Sequence, residues 1–132
     1  MATPDLVGII VRDMGNALNF YRLLGLDIHG DADSQPHVEF KTPGGFRIAW
    51  DTVELMQSIH PGGTEPVGHR MGLAFLCDSP LDVDETYARV IAAGYESSKE
   101  PWDAFWGQRY AVVVDPDGNL IDLFAALFAA LE

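Results

Sequence analysis

The feature that most constrains what this chain can fold into is an internal repeat. Val7-Gly-Ile-Ile-Val-Arg-Asp13 is an apolar run that ends in Asp and leads into a helical pattern. Gly72-Leu-Ala-Phe-Leu-Cys-Asp78 does the same 65 residues later. Both runs are rich in β-branched or aromatic residues and bounded by turn formers, which predicts strands. Asp13 is a candidate N-cap for the first helix, whose stripe Ala17, Phe20, Tyr21 and Leu24 recurs at helical spacing and stops at Gly25. The second helix opens on Ser79-Pro80, a cap followed by proline at the first helical position. Its stripe is Val83, Tyr87, Val90 and Ile91, and Gly94 stops it.

Each half then closes as strand, turn, strand. His37–Lys41 turns at Thr42-Pro-Gly-Gly45 into Phe46–Asp51, and Arg109–Val114 turns at Asp115-Pro-Asp-Gly118 into Leu120–Phe124. The turns superpose at an offset of 73, which pairs Pro43 with Pro116 and Gly45 with Gly118. Weaker strands are expected near Leu26–His29 and Tyr95–Lys99. The fold class is therefore α+β, two βαβββ modules in a single domain over 1–132. Module 1 runs over about 1–57 and a Pro- and Gly-rich linker over about 58–68. Module 2 covers about 69–124, and a short C-terminal helix is expected over about 123–131.

Strand alternation sorts the side chains onto two faces. Val7, Ile9, Val11, Val38, Phe40, Phe46, Ile48, Trp50, Ile121 and Leu123 are expected to pack on the helices. The opposite, open face carries Ile10, His37, Glu39, Arg47, Ala49, Asp51, Leu120, Asp122 and Phe124. Met71, Leu73, Phe75 and Cys77 are assigned to it as well. That face mixes apolar and charged residues, as a pocket for a partly apolar ligand does, and as a subunit interface with paired charges does.

With 20 Asp+Glu against 8 Lys+Arg, the formal charge is −12. A surface this acidic repels phosphate, so nucleic acid and anionic membrane are excluded as expected partners, whereas small cations are attracted. Cys77 is the single cysteine, so there is no intrachain disulfide and no paired-cysteine metal knuckle. Within its apolar run it reads as an inert thiol. The start, Met1-Ala-Thr-Pro-Asp, lacks the basic stretch and apolar core of a signal peptide, and the longest apolar run is too short for a bilayer. A cytoplasmic protein is the expectation.

The strand ending in Asp13, the stretch Leu18-Asn-Phe-Tyr-Arg-Leu-Leu-Gly-Leu26 and the ending Trp106-Gly-Gln-Arg-Tyr-Ala-Val-Val-Val-Asp-Pro-Asp-Gly-Asn-Leu-Ile-Asp-Leu123 resemble the glyoxalase / bleomycin-resistance / dioxygenase superfamily, the vicinal oxygen chelate proteins. The resemblance spans essentially the whole chain. It implies modules curled into half-barrel cups and, at this length, a homodimer. Metal-using members place His, Gln or Glu at points that carry over here to Leu6, Ala49, Met71 and Asp122. Of these only Asp122 is a plausible oxygen ligand for a divalent ion, so no metal and no cofactor are expected. A one-residue slip brings in Val7 or Gly72, no better as ligands, and reverses the faces. His37 with Glu39 is the one spacing that can seed a displaced metal site.

There is no nucleophile elbow, no zinc-protease helix motif and no phosphate-binding glycine loop. The expected function is thus binding rather than catalysis, resembling members that sequester antibiotics. The expected ligand is a small molecule, cationic or planar aromatic. The aromatic-rich segment Trp102-Asp-Ala-Phe-Trp-Gly107 offers flat surfaces for it, with Trp106 read as structural. The candidate ligand-binding residues are Glu39, Arg47, Asp51, Phe75, Trp102, Phe105 and Asp122. The alternative is a lyase, isomerase or dioxygenase of the same superfamily with a displaced metal site or a metal-free acid/base site, for which His37, Glu39, Asp51 and Asp122 are the candidates.

Overall fold

A computed structural model describes residue 1, residues 3–59 and residues 71–128. The elements run β1 (Leu6–Val11), α1 (Met14–Leu23), a short 3-10 turn (Gly30–Ser34), β2 (His37–Lys41), β3 (Arg47–Thr52), α2 (Val53–Ile59), β4 (Leu73–Leu76), α3 (Pro80–Ala92), β5 (Glu96–Ala104), β6 (Gln108–Val114) and β7 (Leu120–Ala126). The chain divides into two compact units, 1–66 and 67–132, and each holds one copy of the repeat around one sheet. The architecture is α+β with modules of the βαβββ kind.

In the first unit the strands lie in the order β1-β3-β2, with β1 parallel and β2 antiparallel to β3. α1 starts where the Asp13 carboxylate accepts from the Asn16 N–H at 2.8 Å. Its apolar stripe buries Met14, Ala17, Leu18, Phe20 and Tyr21 alongside Val11, Ile48 and Trp50. The Tyr21 and Trp50 rings meet at 5.2 Å. Phe46, expected in this core, instead sits in the turn before β3 and is 40% exposed. The weak strand expected at Leu26–His29 does not form. Arg22 donates to the Ile28 and His29 carbonyls at 2.8 Å each and to Asp33, which takes those carbonyls out of any ladder. The start of the expected linker is helical, because α2 covers Val53–Ile59 and the Thr52 hydroxyl accepts from the Leu55 N–H. Residues 60–70, which take in the rest of that linker and the start of module 2, lie outside the described residues.

In the second unit the order is β4-β7-β6-β5. Ser79 caps α3 by accepting from the Asp82 N–H at 3.1 Å, with Pro80 at the first position. Val83, Thr86 and Val90 of α3 are buried, as are Ala111, Val113, Ile121 and Leu123 of the sheet. The turn Asp115-Pro-Asp-Gly-Asn119 closes on a buried carboxylate. Asp115 Oδ1 accepts from the Asp117 and Asn119 N–H groups at 2.9 and 2.8 Å, and Oδ2 accepts from the Asn119 side chain. Gly118 follows at φ 89°, a conformation that favours glycine. The strand expected near Tyr95 exists and is longer than expected, reaching Ala104, so Trp102 lies in β5 and only Phe105–Gly107 form the turn. The helix expected over 123–131 overlaps β7, which holds 123–126 extended, and residues 129–132 lie outside the described residues.

Candidate functional site

Register fixes which side chains share a face. In the first unit Gly8 pairs with Ala49 and Ile10 with Asp51, while Glu39 pairs with Ala49 and His37 with Asp51. The open face therefore carries His37, Glu39, Arg47 and Asp51 together, as the alternation predicts. Their contacts form one chain across the sheet. His37 Nδ1 lies 2.5 Å from Asp51 and Nε2 lies 2.8 Å from Glu39. Arg47 then donates to Glu39 at 2.7 Å and to Asp5 at 2.5 Å. The hydrogen bonds to Asp51 and Glu39 raise the His37 pKa above its usual 6.5. Bonds from His37 and Arg47 lower that of Glu39. A charged imidazolium donating from both nitrogens satisfies both carboxylates at once. The two carboxylates hold different ring nitrogens, so they do not converge with His37 on one point. Among the described residues no group of three or more His, Cys, Asp or Glu is arranged to hold a metal ion.

In the second unit Tyr110 pairs with Phe124 and Trp102, Val112 pairs with Asp122 and Lys99, and Ala74 pairs with Asp122. The open face here is an aromatic array. Trp102, Trp106 and Tyr110 contact one another with ring centroids 5.3–6.1 Å apart, edge to face, and Tyr110 stacks on Phe124 at 6.2 Å. Trp106 is fixed by donation to Gln108 at 2.7 Å. The Tyr110 hydroxyl donates to Asp122 Oδ2. Burial, with that carboxylate as the second cause, pushes the phenol up to about 12. The Lys99 ammonium lies 5.1 Å from the Trp102 ring centroid. Phe105, at the turn, is 97% exposed and touches Trp106.

The seven candidate residues are thus distributed unevenly. Glu39, Arg47 and Asp51 meet on the first sheet, joined by His37. Trp102 and Asp122 lie on the second, joined through Tyr110, with Phe105 at the edge. Phe75 is misplaced by the alternation. It pairs with Leu123, and Leu73 with Ile121, so both belong to the helix-packed side, while Ala74 and Leu76 take the open face. The error comes from aligning Asp13 with Asp78 by residue type. The capping roles align Asp13 with Ser79, an offset of 66, and in a strand one residue exchanges the faces. Cys77 is half-buried and burial raises its thiol pKa, which fits an inert group. Tyr110 and Phe124 are the residues missing from the sequence-based candidates. The repeat carries the signal for both, because at the offset of 73 they stand where His37 and Asp51 stand.

The match to the family model for the Glyoxalase/Bleomycin resistance protein/Dioxygenase superfamily runs over residues 3–123. The chain belongs to this superfamily. No curated protein compared with it matches. Among solved structures, a glyoxalase/bleomycin resistance protein/dioxygenase family enzyme from Burkholderia phytofirmans PsJN is 27% identical at a TM-score of 0.76, covering 96% of this chain and 100% of that one. A protein of unknown function from Agrobacterium tumefaciens str. C58 is 30% identical at a TM-score of 0.70, with 96% and 95% covered. A glyoxalase-related enzyme from Fulvimarina pelagi, 18% identical, shares the fold at a TM-score of 0.80 over 95% and 88%.

The positions that the resemblance assigns to metal ligands fall here on Leu6, Ala49, Asp122 and, in the corrected register, Gly72 in place of Met71. Leu6, Ala49 and Gly72 carry no side-chain donor. The Asp122 carboxylate alone does not meet the three or more N/O donors that a divalent ion requires.

Proposed function

We propose that this member of the superfamily is a small-molecule binding protein whose ligand presents a flat aromatic part to the open face of the second sheet. No divalent metal takes part in this binding. The observation that supports this most is the aromatic array of Trp102, Trp106, Tyr110 and Phe124, with Asp122 held beside it by Tyr110. An array of this kind gains by stacking without forming bonds, and a carboxylate at its edge selects for a donor or cation. Sequestration of an antibiotic fits the same chemistry, and a homodimer, as the resemblance implies, belongs to this reading.

The test is a tryptophan fluorescence titration with bleomycin-type, mitomycin-type and quinoxaline-type compounds. Quenching by at least one class, lost in Trp102→Ala, is expected. No response to any planar or cationic compound would overturn the reading. A second reading, acid/base catalysis on the first sheet, is favoured by His37 clamped between Asp51 and Glu39. Metal analysis separates the binding reading from metal-dependent catalysis. A stoichiometric transition metal retained after dialysis would count against metal-free binding.

A further inference from the structure

The aromatic face of the second unit is bracketed by opposite charges. Lys99, Val112 and Asp122 are cross-strand partners on β5, β6 and β7, so the backbones of Lys99 and Asp122 stand two strand spacings apart, about 10 Å. Lys99 lies on an irregular stretch of β5, with register shifts on both sides of it, and its ammonium is over the Trp102 ring. At the other end Asp122 Oδ2 accepts from Tyr110. That bond fixes the carboxylate and leaves Oδ1 without a donor among the described residues.

Building on the platform reading above, we infer that the ligand is an amphoteric planar aromatic. Its ring lies over Tyr110, a cationic or donor group at one end binds Asp122, and an anionic or acceptor group at the opposite end binds Lys99. A ligand carrying only a cation meets the Lys99 ammonium wherever it stacks near Trp102. A ligand carrying only an anion meets Asp122 at the Tyr110 end. A ligand with both groups, correctly spaced, satisfies each end without displacing either side chain. The Tyr110 hydroxyl is spent on Asp122, so it acts here as a positioning group and Asp122 as the contact.

The test is isothermal titration calorimetry with four naphthalene probes: 6-(aminomethyl)-2-naphthoate, 2-naphthylmethylamine, 2-naphthoate and 2-methylnaphthalene. The amphoteric probe is expected to bind roughly tenfold tighter than either singly charged one, the scale of one charge-assisted contact. Lys99→Met should remove its advantage over the amine, and Asp122→Asn, an isosteric change, its advantage over the carboxylate. Equal binding of all four probes would overturn this inference and leave the platform reading standing. Tighter binding of the amine in Lys99→Met, to the level of the amphoteric probe, would also overturn it and make Lys99 an obstacle. No binding by any naphthalene would overturn both.

Discussion

Replacing Tyr110 by Phe removes one oxygen and leaves the ring stack on Phe124 and the edge contacts to Trp102 and Trp106 in place. What is lost is the bond that holds Asp122. A hydrogen bond to a charged group contributes about 1.5–3 kcal/mol. Asp122 is half-buried and water can partly replace the phenol, which puts the loss at the low end, about 1.5 kcal/mol at neutral pH. The pH dependence gives an independent check. The phenol is lifted from 10 to about 12, so between those values the native state keeps a proton that the unfolded chain has released. Stability therefore falls as pH rises through this window. Its ceiling is about 2.7 kcal/mol, at 1.36 kcal/mol for each tenfold change in acidity, and partial exposure brings it below that. Two measurements check it: urea unfolding of wild type and Tyr110→Phe at pH 9 and 11, and the tyrosinate absorbance near 295 nm up to pH 12.5. The variant should lose the amplitude of one late-titrating tyrosine, and a cycle with Asp122→Asn should give coupling of about 1 kcal/mol. A variant as stable as wild type, with the same late titration, would refute the bond and with it the orientation of Asp122.

Asp13→Ala and Ser79→Ala should each cost about 1 kcal/mol by urea unfolding, since each removes the acceptor for a helix N-terminal N–H. Asp13→Asn should cost little, and a cost equal to that of alanine would mean the cap is not the cause. His37 should titrate above 6.5 by NMR of its ring proton, lowered towards that value in Asp51→Asn. Its stabilisation is complete below 6.5 and is lost as pH rises through the raised value, so the Asp51→Asn penalty should shrink on going from pH 6 to pH 9. Trp50→Phe tests the first core. The indole is fully buried and its N–H has no partner among the described residues, so relief of that orphan donor, about 1–3 kcal/mol, offsets much of the cavity cost. A net change within about 1 kcal/mol is expected, and a loss near that of Trp→Ala would count against it.

The elements that could be read from sequence are those whose local chemistry is self-sufficient. The caps Asp13 and Ser79, the two Pro-Gly turns and the alternation of β3 and β7 each act over a few residues. The misreadings arise where a distant group decides. Leu26–His29 has strand composition, but Arg22 captures its carbonyls from a helix away. Phe46 continues the alternation of β3, but the Thr42–Phe46 turn ends the strand before it. Phe75 shows a different failure. Its run reads as a strand and forms β4, but its face follows from the caps Asp13 and Ser79 rather than from the two aspartates. The site divided in the same way. Alternation places His37, Glu39, Arg47, Asp51 and Asp122 on the open face, but Tyr110, which holds Asp122, is recognised only by contacts across strands.

The repeat also bears on which sheet the proposed ligand would meet. At matching positions the first unit has His37, Asp51, Glu39 and Ala49, and the second has Tyr110, Phe124, Val112 and Asp122. In the first, the ring and both carboxylates satisfy one another, and Arg47 is shared between Glu39 and Asp5. A ligand on that face must break a bond for nearly every one it makes, so its net gain is small. In the second, the matching positions are apolar apart from a carboxylate that accepts one bond and a phenol that supplies it. A flat ligand there covers rings and meets an oxygen with capacity to spare. The same backbone frame thus carries a face whose charges are already paired and a face open to a guest, and the second is where binding energy is to be gained.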